Sequence, residues 1–207
     1  KYAVAATEWR NWSNGDVGIF SRHGVSLEEM SGQQKTAAWD LLRASLSAEG
    51  VAQTQDIMKT EQTLLELNGE PIRYGEEKYY FTVMGVPSTT EPWGWQLDGH
   101  HLIINFFVLG DQIVMTPAFW GGEPVLAASG KYAGNRIMKD EQDEGLGFMQ
   151  SLDAAQRSAA SQHNAHRATG QKPCDLGKIR ICIQRDMMMQ FRRTRVDPQR
   201  AFQNSFI

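Results

Sequence analysis

The sequence predicts an α+β fold in which helical pairs pack on a small antiparallel sheet with a central β-hairpin. Three observations carry this. Two serine-led helix starts open the first third, the middle third changes to a two-residue period, and the helical period returns after residue 137. The 207 residues suffice for one ordinary core. With 41% hydrophobic and 22% charged residues and a mean hydropathy of −0.44, the composition is that of a globular chain. No apolar run reaches the roughly 18 residues that a membrane-spanning helix requires.

Ser26 with Glu29, and Ser31 with Gln34, each place a capping hydroxyl three residues before a reciprocating side chain. After Ser31, Trp39, Leu42 and Leu46 recur at helical spacing and Gly50 supplies a stop, so the first helix is expected over 32–48. A second helix runs from Val51 to Leu67, with Ile57, Met58, Leu64, Leu65 and Leu67 on its apolar side and Asn68-Gly69 as a left-handed end. The two should pack as a hairpin.

Tyr79 to Met84 is aromatic and β-branched and reads as a strand. His101–Leu109 and Gln112–Thr116 flank the two-residue connection Gly110-Asp111, a β-hairpin signal. That loop pairs Leu109 with Gln112, Phe107 with Val114 and Asn105 with Thr116. Apolar residues on both strand faces place the hairpin inside a layered fold, with helices covering it. Extending the register backwards sets Glu123 opposite Asp98.

From Ile137 to Ala160 the pattern is helical again, with a break around Gly145 and Gly147 and a cap at Asp153 and Gln156. The segment from Asp153, DAAQRSAA, echoes SGQQKTAA from Ser31; convergent use of a good cap accounts for this, and an internal duplication is the alternative. Beyond Ser161 the periodicity fades into a basic run with Met187–Met189, Arg192, Arg193 and Arg195. The expected organisation is a single α+β domain over 1–160 and a divergent, poorly packed tail over 161–207.

Charge divides the chain in the same way. Residues 162–207 hold nine Lys and Arg against three Asp and Glu, whereas residues 1–161 hold 12 against 21. Such an acidic body argues against a phosphate backbone as its partner, with the basic tail as the candidate exception, so no nucleic acid is expected. Cys174 and Cys182 both fall in the tail, which leaves the body without a disulfide framework or a thiolate metal site. The first residues, Lys1 to Ala6, contain no apolar signal core, as in a processed chain or a fragment. Oligomeric state is not encoded in any pattern of this sequence.

The densest polar and aromatic constellation is Glu91-Pro-Trp-Gly-Trp-Gln-Leu-Asp-Gly-His-His101. Extended backbone would put Gln96, Asp98 and His100 on one face and Trp95, Leu97 and His101 on the other. A regular strand therefore separates the two imidazoles, and a bulge at Gly99 is needed to bring both to one metal ion. On their shared face Asp98 and His100 form a carboxylate-imidazole pair, able to orient a metal ligand or raise the basicity of a general base. The bland alternative is that both histidines satisfy buried backbone groups at the end of the sheet. Trp93 and Trp95 fit a core role, or an aromatic wall lining a small-molecule cleft with Gln96 and Glu123. Asn105 reads as a satisfied buried amide.

Two weaker signals lie outside that stretch. His163 and His166 have the i, i+3 spacing of a helical metal pair, against an incidental polar tail. Arg22-His23-Gly24, after the apolar run Val17 to Phe20, resembles the Arg-His-Gly signature of histidine phosphatases, which implies a nucleophile at His23 and a phosphate-holding Arg22. One arginine is too few for phosphoryl transfer, and Ser26 and Leu27 stand where acid-phosphatase members carry another.

Trp93-Gly-Trp-Gln-Leu-Asp-Gly-His-His101 resembles the bacterial family catalogued as domain of unknown function 3500. Trp9-Arg-Asn-Trp12, Leu41-Leu-Arg-Ala-Ser-Leu-Ser47, Tyr79-Tyr80, Glu91-Pro-Trp93, Asn105-Phe106 and Val114-Met-Thr-Pro117 are similar to the family's order, from about Trp9 to Ala160. The resemblance implies export, since members often carry signal peptides, but no reaction. It also implies a C-terminal His-x-His motif that residues 161–207 lack, which points to truncation or divergence there. The expectation is an exported metal-assisted enzyme or metal-binding protein. His100 and His101 would ligate a divalent transition metal, with Asp98 and His100 in catalysis. The alternative is a non-enzymatic sugar or small-molecule binding module lined by Trp93 and Trp95, and the third is phosphoryl transfer at Arg22-His23.

Overall fold

The computed structural model describes Ala3, Val4 and residues 10–161; His163, His166, both cysteines and the basic run lie outside the described residues. The chain divides into two compact units between Gly145 and Leu146. Every strand among the described residues belongs to the first. In chain order the elements are β1 (Val25–Ser26), a 3-10 turn (Leu27–Glu29), α1 (Gly32–Ser45), α2 (Ala48–Asn68), β2 (Tyr80–Met84), β3 (Trp93–Gly99), β4 (Leu102–Leu109), β5 (Gln112–Val114), β6 (Ala118–Trp120), α3 (Lys139–Ser151) and α4 (Ala154–Ala160).

The caps form where the sequence places them. Ser26 and Glu29 reciprocate, but the box opens only the 3-10 turn. Ser31 and Gln34 start α1, and Asp153 and Gln156 start α4 in the second unit. Ser47 was not anticipated: its hydroxyl accepts from Gly50 N at 3.0 Å and begins α2 at Ala48. Gly50 therefore lies in the first turn of α2 rather than closing α1, which already ends at Ser45. Gly69, with φ 67°, closes α2 as its Asn-Gly sequence predicts.

The sheet is antiparallel, in the order β1-β2-β3-β4-β5, with β6 also paired to β4. Leu109 pairs with Gln112 and Phe107 with Val114, the register that the Gly110-Asp111 turn predicts. The extrapolated part of that register fails. Beyond Val114 the chain leaves β4 and rejoins it as β6, with Leu102 opposite Trp120 and Ile104 opposite Ala118, a shift of one residue. Asn105 spans the gap: its backbone N–H and its Nδ2 both donate to Pro117 O, at 3.3 and 2.8 Å, in place of pairing with Thr116.

Cross-strand partners divide the sheet into two unlike faces. Trp95, Leu97, Ile104 and Phe106 point to one face and join Ala38 and Leu42 of α1 with Ile57 and Met58 of α2 in the hydrophobic core. The opposite face carries Thr82, Gln96, Asp98 and Asn105, all buried although polar. Helices α1 and α2 cover the first face; N-terminal chain lies on the second, where Arg22 reaches Asp98 and Gly24 packs against Phe81 O. Among the described residues α1 and α2 cover one side only, and at the Gly110-Asp111 end Ile113 is exposed. The sealed end of β4 is the opposite one, at Leu102 to Ile104.

Candidate functional site

Gly99 pairs with Leu102, so His100 and His101 form the two-residue loop joining β3 to β4. They are turn residues and not the alternating strand residues that the sequence suggests. His101 adopts the left-handed φ of 60°, a conformation histidine tolerates better than most residues with a side chain. The turn does what no straight strand can: it stacks the two imidazoles, with ring centroids 3.9 Å apart. Both residues are buried. Their backbone groups are held from three directions: Tyr79 Oη donates to His100 O at 3.2 Å, Gly121 N donates to His101 O at 2.8 Å, and His101 N donates to Asn14 O at 3.1 Å.

The carboxylate that orients His100 is that of Glu61, from the middle of α2. Its Oε2 lies 2.8 Å from His100 Nδ1, and both side chains are 3% exposed. A carboxylate only accepts, so with Glu61 ionised and the ring neutral the proton sits on Nδ1 and the lone pair on Nε2. This is the arrangement found in general-base dyads and behind metal-ligating histidines. Glu61 shares the stripe of α2 that buries Thr54, Ile57, Met58 and Leu64, so the helix delivers a carboxylate to a core-facing position.

Asp98 has a different partner. Arg22 Nε donates to Asp98 Oδ1 at 3.1 Å, with side-chain exposures of 0% and 3%. Burial pushes the Asp98 carboxyl up to about 6, against the charge and hydrogen bond of Arg22 and a backbone hydrogen bond from Ser13, which pull it down. The two buried atoms Asp98 Oδ2 and Arg22 Nη1 have no hydrogen-bond partner among the described residues. Arg22 Nη2 donates to Ser13 O at 2.7 Å and makes a shorter contact to Gly15 O, tying residues 13–15 across the turn.

A second ion pair fixes the same segment. Arg73 presents Nε and Nη2 to Asp16 Oδ1 and Oδ2 at 3.1 and 2.8 Å, and Asp16 is fully buried. Burial acts to raise the Asp16 carboxyl, but hydrogen bonds from Arg73 and Gly18 and the charge of Arg73 outweigh it and hold the group below the usual range. Neither Arg73 nor Asp16 stood out in the sequence.

The other candidates are dispersed. Trp95 is 1% exposed and packs between Phe81 and Phe106, with centroids at 6.3 and 5.3 Å, so its ring belongs to the core. Trp93 is half-buried and donates Nε1 to Ser88 O at 2.9 Å. Gln96 donates to Asn105 Oδ1 at 2.7 Å within the buried polar face. Because the chain reverses at His100 and His101, Asp98 lies on β3 opposite Ile103 and not on β4, and Glu123 falls instead at the edge of the histidine turn, its carboxylate 3.9 Å from His101 Nε2 and mostly exposed. His23 accepts from Asn11 Nδ2 at 3.2 Å, while its neighbour Arg22 is committed to Asp98. His100 and His101, the metal pair expected from the sequence, lie side by side in the turn; among the described residues no group of three or more His, Cys, Asp and Glu side chains is arranged to hold a metal ion. No helix among the described residues is long and apolar enough to cross a membrane.

A family model described as "Protein of unknown function (DUF3500)" matches residues 1–203, extending past Ala160 through most of the basic tail. No curated protein and no solved structure matches the chain.

Proposed function

We propose that this chain, which belongs to the DUF3500 family of proteins of unknown function, is an enzyme whose acid-base group is His100. The observation that carries this is the buried hydrogen bond of 2.8 Å between Glu61 Oε2 and His100 Nδ1. Glu61 fixes the tautomer and stabilises the imidazolium that forms when Nε2 takes a proton. His101, stacked at 3.9 Å, opposes simultaneous protonation of both rings and so favours transfer of one proton at a time. Asp98 has a positioning role: it holds Arg22, which holds the chain that covers the turn.

Nitrogen-15 NMR of the two rings tests the reading. His100 is expected as the Nδ1–H tautomer, converting to the other form or to a mixture in Glu61→Gln. An Nε2–H ring in the wild type overturns the assignment. Against a panel of chromogenic esters and amides, His100→Ala is expected to lose about 100-fold or more of any turnover, the usual scale for a general base. Undiminished turnover in that variant equally sinks the proposal.

Transition-metal ligation by His100 and His101 is the second reading, supported by the same carboxylate-histidine hydrogen bond and by the adjacency of the rings. Two imidazoles are fewer than the three protein ligands usual at a catalytic zinc. Titration with Zn²⁺ or Co²⁺ separates the readings, since micromolar binding lost in His101→Ala favours ligation. Export of the protein is proposed only from the resemblance to a family whose members often carry signal peptides. A cleft lined by Trp93 and Trp95 draws the least support, because Trp95 has no exposed ring face.

A further inference from the structure

Residues 13–22 contain neither helix nor strand, yet Ser13, Asn14 and Asp16 are buried, and they lie over the histidine turn. The composition of this segment is unusual for buried chain. From Ser13 to Gly18 the sequence is Ser-Asn-Gly-Asp-Val-Gly, with Val17 its single large apolar side chain. What holds it is polar: His101 N to Asn14 O, Arg22 to the carbonyls of Ser13 and Gly15, and Arg73 to Asp16. Each of these bonds exchanges for one with water when the segment lifts, and Val17 is the one large apolar side chain the segment itself takes with it.

The two ion pairs differ in a way that assigns them roles. Arg22 and Asp98 are sealed from solvent at 0% and 3% exposure, whereas Arg73 is 35% exposed and open to competition from water. Downstream, Gly24 is pinned to the sheet: its φ is 95°, and a β-carbon there would lie 2.2 Å from Phe81 O. Gly15 and Gly18 supply flexible points within the segment.

We propose that residues 13–18 form a strap that lifts from the His100–His101 turn to admit small solutes, with Arg22 as its anchor and the Asp16–Arg73 ion pair as its latch. The purpose of this gate rests on the reading of His100 as the working group, but the opening itself is measurable without any substrate.

The experiment is ethoxyformylation of the full chain by diethyl pyrocarbonate, read at His100 and His101 by mass spectrometry in increasing sub-denaturing urea. A strap that opens locally exposes little surface, so labelling in the wild type is expected to be nearly independent of urea until global unfolding begins. Asp16→Asn is expected to raise the rate at both rings at least tenfold with His23 unchanged, and Arg73→Lys, which keeps the charge but loses the fork, to give a smaller rise. Should Asp16→Asn fail to fold, Arg73→Lys carries the comparison. Labelling that climbs with urea as steeply as global unfolding, or folded latch variants labelled at the wild-type rate, overturns the strap. Latch-dependent labelling in a protein whose His100 has the wrong tautomer leaves the strap standing and removes only the acid-base reading.

Discussion

The ring of Tyr79 occupies the space that a side chain at position 99 would need: a β-carbon on Gly99 would lie 2.0 Å from Tyr79 Cδ1. Tyr79 is fully buried and its hydroxyl donates to His100 O, so it cannot swing aside without releasing the turn. Gly99→Ala is accordingly expected to cost about 3 kcal/mol, at the upper end for overpacking a core. Tyr79→Phe, which removes only the hydroxyl, is expected to cost about 1 kcal/mol. Urea unfolding midpoints of the two variants check the ordering, and equal effects would count against steric contact as the cause.

Asp98 gives a pH dependence with a definite sign. Its carboxyl is at about 6 in the folded chain and at the ordinary 3.8 when unfolded. Between those values the folded state binds the proton more tightly, so this group contributes stability at low pH that is lost as pH rises from about 4 to about 6. The full swing is about 3 kcal/mol for a shift of about two units. The stability of wild type minus that of Asp98→Asn, measured by urea unfolding at intervals across this range, should fall with rising pH; a flat or rising difference refutes the assignment.

Arg22 and Asp98 form a pair in which loss of one partner is worse than loss of both. Arg22→Met leaves a buried carboxylate and two strap carbonyls without their donor, and is expected to cost about 3–5 kcal/mol. Adding Asp98→Leu should recover part of that loss. A double-mutant cycle with additive losses would show that the pair is not coupled.

At the helix start, Ser31→Ala removes the hydroxyl that accepts from Gln34 N. The expected loss is about 1 kcal/mol. Ser31→Asp should retain most of the wild-type stability, because a carboxylate also caps. The thermal midpoints of the two variants supply the comparison.

Much of the architecture was legible because local chemistry decided it. The capping pairs at Ser31 and Asp153, the left-handed end at Gly69 and the Gly110-Asp111 reversal each depend on a few neighbouring residues, and all form as read. The site was legible only in part. Gly-His-His lacks the asparagine-glycine signature of a two-residue turn, so His100 and His101 read as strand residues pointing apart, and the β3–β4 reversal was missed. Glu61 left a signal that was not used: with Ile57, Met58 and Leu64 on the core side of α2, position 61 falls in the same stripe, and a carboxylate there demands a buried partner. Arg22–Asp98 and Asp16–Arg73 join residues 76 and 57 positions apart. No spacing rule reaches across such distances. The placement of Glu123 failed for the same reason as the histidines, since the reversal at His100-His101 puts Asp98 on β3, off the strand whose register was extended.

The polar face of the sheet has a consequence for how the strands find one another. A slide of two residues between β3 and β4 would keep oily side chains against the helices, so greasy contact alone cannot reject that alignment. Gln96 would then lose Asn105, stranding two buried amides in the interior. The amide couple thus acts as a vernier, letting the two strands lock at one setting and penalising its near neighbours.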